Sequence, residues 1–157
     1  MKQKQFYIFI LSLLLCLTGC GRSKELDEYK SNMETFYSDI SQYDSMINSI
    51  DAESDHSTEE LLAALDSMEE RFSWMADLPV PNEFSSAESL AADAAASMKK
   101  AVSLYHQAFE SEPFDSNAAQ TAKENYDHAN ERLRSILSIL HGDVPGENDV
   151  TDIPEIE

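Results

Sequence analysis

The sequence predicts an all-α fold, an antiparallel four-helix bundle in up-down-up-down order with a disordered acidic tail, on three observations. No glycine lies between Gly21 and Gly142, and the only prolines in that span are Pro79, Pro81 and Pro113, so chain breaks are few and localised. Between the breaks the chain is rich in Ala, Leu, Met, Glu and Ser and poor in Val and Ile, a composition that favours helix over strand. Apolar residues then recur at alternating three- and four-residue intervals, the period of one face of a helix.

The first helix, about 25–51, carries the seam Leu26, Tyr29, Met33, Phe36, Ile40, Tyr43, Ile47 and Ile50. The second, about 57–78, shows Leu61, Leu65, Met68, Phe72 and Met75, and opens on Ser57-Thr58-Glu59-Glu60. That spacing is a capping box, in which Ser57 and Glu60 would satisfy free N–H groups reciprocally. The third, about 84–111, presents Phe84, Ala87, Ala91, Ala94, Met98, Ala101, Tyr105 and Ala108, flanked by Leu90, Val102 and Phe109. Its alanines permit close approach of a neighbour. The fourth, about 116–141, follows a cap at Asp115 or Ser116, runs Ala119, Ala122, Tyr126, Ala129, Leu133, Ile136 and Leu140, and stops at His141-Gly142, where glycine suits a helix C-cap. Short connections make these helices antiparallel neighbours. The stretch 142–157, acidic after Gly142, bearing two prolines and no base, is expected to be disordered.

Ahead of the bundle, Lys2 and Lys4 precede an apolar run from Phe6 to Leu17, followed by Thr18-Gly19-Cys20. A run this short, with a basic start and small residues at its end, reads as a signal peptide over 1–19 and not as a membrane span. Leu17, Thr18, Gly19 and Cys20 resemble the lipobox of bacterial lipoproteins. The resemblance implies that Cys20 is diacylated and becomes the first residue of the mature protein, with 20–24 a short tether. Cys16 would leave with the leader, so no thiol remains for a disulfide, a nucleophile or a metal. Arg22 and Lys24 are the bases nearest the anchor, placed to meet anionic head groups. The layout also resembles small helical lipoproteins of Gram-positive bacteria, some regarded as cell-wall binding proteins; no motif within 25–141 is diagnostic, and no site residue carries over.

Charge narrows the functional classes. The 157 residues hold 30 Asp and Glu against 11 Lys and Arg, a formal charge of −19, which becomes −21 once Lys2 and Lys4 depart. Such a surface repels phosphate backbones, so no nucleic-acid partner is expected. The glycine-free interior contains no phosphate-cradling loop and no dinucleotide fingerprint. The one Glu-x-x-His spacing, Glu53 to His56, falls in a loop and not on a facing pair of helices as a di-metal bundle requires. His106 and His128 have Glu110 and Glu124 one turn away but are expected to face solvent, and His141 suits the dipole at a helix end. No metal, cofactor or catalytic residue is expected. Seam tyrosines 29, 43, 105 and 126, together with Met33, Met68, Met75 and Met98, fill the predicted core, or could instead line a ligand cavity.

Two surface features remain. The connections at 51–57 and 111–115 fall at one end of the bundle and gather Asp51, Glu53, Asp55, Glu59, Glu60, Glu110, Glu112 and Asp115 with no Lys or Arg. Asp51-x-Glu53-x-Asp55 is not an EF-hand, since its sixth position is His56 and its twelfth Leu62. A solvated loop accounts for this tip, with a weak cation site or a dock for a basic partner as the functional alternative. At the other end Trp74, Leu78, Val80 and Phe84 surround the Pro79–Pro81 turn, either as an apolar clamp or as an exposed partner-binding patch. The resulting expectation is a membrane-anchored, extracytoplasmic, non-enzymatic interaction module meeting an envelope protein; the alternative is a bundle that binds a small ligand or divalent cation.

Overall fold

The computed structural model describes residues 18–142, with side chains from Lys24 onward. The expected signal peptide up to Leu17 and the expected tail from Asp143 lie outside the described residues. Four α-helices follow in order: α1 Thr18–Ser49, α2 Ser57–Ala76, α3 Ser85–Glu110 and α4 Ser116–His141, with a 3-10 turn at Asn82–Phe84 leading into α3. No strand occurs among the described residues, and the architecture is an all-α four-helix bundle.

The helix ends follow from local chemistry. α4 begins where the sequence places it: the Asp115 carboxylate accepts hydrogen bonds from the N–H groups of Asn117 (3.1 Å) and Ala118 (3.0 Å). It ends at Gly142 in the left-handed conformation, φ 81°, which costs glycine little. α2 stops at Ala76 because the residue before Pro79 is driven out of the helical region, slightly earlier than the expected 78. The capping box at its start is not formed. Ser57 is already helical, the cap position falls on His56, and no side chain caps it; the turn is held instead by Asp51 accepting from the Glu53 N–H (3.0 Å) and Ser54 from His56 (3.2 Å). α1 is already helical at Thr18, the first described residue, and not only from about 25, so the backbone of 20–24 is helical.

Cross-helix contacts fix the register and show the helices to be antiparallel. Arg71 of α2 pairs with Asp39 of α1. His106 of α3 meets Asp66 of α2 at 2.8 Å. Arg132 of α4 binds Asp93 of α3 at 2.6 Å, and His128 meets Ser97 at 2.9 Å. α1 and α4 touch through two tyrosines: Tyr37 donates to the Leu133 carbonyl (3.2 Å) and Tyr126 to Asp44 (2.9 Å). Moving up α1 from 37 to 44 moves down α4 from 133 to 126, as an antiparallel pair must.

The closest helix approach is between α3 and α4. Ala87, Ala91, Ala94, Ala101 and Ala108 of α3 and Ala118, Ala122 and Ala129 of α4 are buried, and small side chains let the two backbones come together. Larger groups fill the space toward α1 and α2. Phe36 and Phe72 meet edge to face with centroids 5.3 Å apart, a geometry worth about 0.5–1.5 kcal/mol beyond the area it buries. Met33, Met68, Met75 and Met98 are buried around them.

Candidate functional site

The two ends of the bundle differ. The near end, where α1 begins, contains the turn through Pro79 and Pro81. The far end contains the turns between α1 and α2 and between α3 and α4.

At the near end the expected aromatic patch is folded inward. Phe84 is buried, with its ring 5.9 Å from that of Tyr29 and the Lys30 ammonium 5.8 Å from its centroid. Trp74, Leu78 and Val80 are half-buried against the core. The Arg71 guanidinium lies 4.4 Å from the Trp74 ring centroid, a cation–π contact that covers the indole face. These four residues clamp the proline turn, the first of the two arrangements expected there, and do not form an exposed patch. Of the lipobox resemblance, Leu17 lies outside the described residues, and the backbone of Thr18, Gly19 and Cys20 is helical within α1.

At the far end Asp51, Glu53, Asp55, Glu110 and Glu112 are exposed. They do not converge: among the described residues no group of three or more acidic, histidine or cysteine side chains is placed to hold a metal ion. Glu110 is bound to His106 Nδ1 at 3.0 Å while Asp66 takes Nε2. This histidine is therefore a bridge between α2 and α3 and not a solvent-facing group as its position off the seam suggests. Its pKa is raised, first by the hydrogen bond to Glu110 and then by that to Asp66. His128 likewise turns toward Ser97 and Asp93 and not toward Glu124. His56 lies 3.5 Å from Glu59. The Asp115 carboxyl is held below its ordinary range, chiefly by the Ala118 N–H.

The far end also carries what the sequence did not single out. A groove of about 480 Å³ opens between the ends of α1, α2 and α3, lined by Ile47, Ile50, Leu61 and Phe109. It joins a cleft of about 330 Å³ to which all four helices contribute, with Asp44, Tyr105 and Tyr126 in its walls. Beside it stand the two exposed large apolar side chains of the described chain, Phe114 at 52% and Met46 at 48% exposure. The Phe114 ring packs against that of Phe109 at a tilt of 56°, with centroids 5.3 Å apart. Burial and the hydrogen bond to Asp44 both raise the Tyr126 pKa, so its hydroxyl stays a donor in the cleft wall. The seam methionines and Tyr29 are core, whereas Tyr105 and Tyr126 line space. Only the placement of Phe114 directly after Pro113, off every seam, hinted at this surface in the sequence.

The class these features define is an all-α bundle with an acidic end that exposes an apolar groove. Compared with known proteins, the chain matches no family model, no curated protein and no solved structure.

Proposed function

We propose that this protein is a lipid-anchored, extracytoplasmic, non-enzymatic interaction module that works by display: an acylated Cys20 holds it at the cell membrane and the bundle offers its surface to an envelope protein. The observation that carries this reading is the order of the first twenty residues, basic start, apolar run and Leu17-Thr18-Gly19-Cys20. No described helix is long and apolar enough to cross a membrane. The anchor also suits the charge, because a body with this excess of acid is not drawn to anionic head groups by electrostatics.

Expression of the full chain in a bacterium fed labelled palmitate tests the anchor. The expected result is label on the wild type and its retention in the membrane fraction, with both lost in Cys20→Ala. Label or retention unchanged in that variant overturns the reading. A second reading, a bundle that binds a small ligand, is supported by the four-helix cleft with its Tyr126–Asp44 hydrogen bond; a saturable rise in thermal midpoint with one compound class would promote it.

A further inference from the structure

We infer that the far-end groove is a docking site for a cationic amphipathic segment of a partner protein, an inference that rests on the interaction-module reading and names its contact surface. The apolar floor is Ile47, Ile50, Leu61 and Phe109; Ile50 also lines a neighbouring pocket with Met46, and Phe114 packs against Phe109. Phe114 and Met46 are each about half exposed, an arrangement that leaves apolar area in water without covering any part of the core. Surface of this kind, confined to one end of a molecule, is characteristic of protein-binding sites.

Charge selects the occupant. Residues 41–70 and 101–122 of the far half contain no Lys or Arg, and the one base of α4 at that level, Lys123, is paired with Asp127. Asp51, Glu53, Asp55, Glu60 and Glu112 border the groove or its turns, and none of them is in an ion pair among the described residues. A segment with Leu- or Phe-like residues on one face and Lys or Arg on its flanks satisfies both the floor and the rim, as when an amphipathic helix lies in a groove. A second copy of this chain is disfavoured because it would bring like-charged rims together. An anionic or neutral apolar ligand would leave the rim unanswered.

The test uses the full chain in zwitterionic nanodiscs, titrated with a fluorescent leucine–lysine amphipathic helical peptide, with empty nanodiscs subtracted. The expected result is saturable binding that falls about tenfold or more, roughly 1.4 kcal/mol, in Phe114→Ser/Met46→Ser and again in Glu53→Gln/Asp55→Asn/Glu112→Gln. Neutralising the exposed near-end acids as Glu28→Gln/Glu34→Gln/Glu88→Gln is expected to change affinity by less than about twofold. Phe114→Ser alone, at the most exposed position, serves if the double variant loses helicity. Equal losses from near-end and far-end neutralisation reduce the effect to diffuse charge and overturn the proposal. So does full affinity in Phe114→Ser, equal affinity for a leucine–glutamate peptide, or self-association that Phe114→Ser abolishes, which would assign the groove to a second copy. A chain that is acylated yet ignores the peptide sinks the groove and leaves the anchor. One that binds peptide without acylation supports the groove and removes the anchor.

Discussion

The near and far halves of this bundle share the same helices and the same heptad spacing, yet the near half is the more closed, its grooves of about 270 and 260 Å³ set against about 480 and 330 Å³ at the far end. Along α1 the seam residues Tyr29, Met33, Phe36 and Ile40 are buried, while Tyr43, Ile47 and Ile50 are half-exposed. The facing residues explain the change. In the near half α4 contributes Leu133 and Ile136 and α2 contributes Phe72 and Met75, large groups that meet Phe36 and Met33 in the centre. In the far half α4 presents Ala118 and Ala122, which let it close on α3 but do not reach α1. Small side chains thus draw one helix pair together and leave the opposite side unfilled, which is where the cleft lies.

Phenylalanine truncation gives the largest contrast between the halves. Phe36→Ala removes a side chain with no solvent exposure and leaves a cavity, so a loss of about 3–5 kcal/mol is expected in denaturant unfolding. Phe109→Ala, in the half-buried groove wall, is expected to lose less than about 2 kcal/mol. Equal losses would mean that the far half is as closed in solution as the near half.

An intermediate effect is expected where the halves should agree. Ala94→Leu in the near half and Ala122→Leu in the far half both force volume into the tight seam between α3 and α4, at a cost of about 1–3 kcal/mol each. A neutral or stabilising Ala122→Leu would show that this seam also opens toward the far end.

The smallest effect concerns the His106 bridge between α2 and α3 in the far half. His106 gains the Asp66 and Glu110 carboxylates on folding, which raises its pKa above the ordinary 6.5. A raised pKa means the folded state binds the proton more tightly. The stabilisation is therefore fully present below about 6.5 and is lost as pH rises through the folded value. The stability difference between wild type and His106→Gln is expected to shrink on going from about pH 5 to pH 9. A difference independent of pH would mean that the bridge acts through the neutral ring alone. The side chain is about a third exposed, so solvent screens the pair and the effect is modest.

Much of the fold was legible in the sequence because it is encoded over one or two turns. The spacing of Met33, Phe36 and Ile40, the stop at Gly142 and the cap at Asp115 are each local: a face depends on i to i+4 repeats, a cap on a side chain beside a free N–H. The capping box at Ser57 misled because its residues also allow Ser57 to enter the helix once the preceding turn is held by Asp51 and Ser54. The acidic far end was legible as charge, and the lipobox resemblance as a run of residues. The histidines expected to face solvent instead find Asp66 and Asp93 on neighbouring helices, and the choice between clamp and patch at Trp74 was not legible because its Arg71 cover and core contacts are set by the fold.

The sequence by itself therefore determined the number of helices, the faces they bury and the chemistry of the two ends. Tertiary structure decided that Phe84 is covered while Phe114 is not, that two histidines become bridges, and that the larger groove opens at the far end. The reason is that helix separation answers to the combined volume of side chains brought from all four helices at one level. No segment carries that sum alone, so the opening beside Ile47 and Phe109 exists only once α3 and α4 have closed on their alanines.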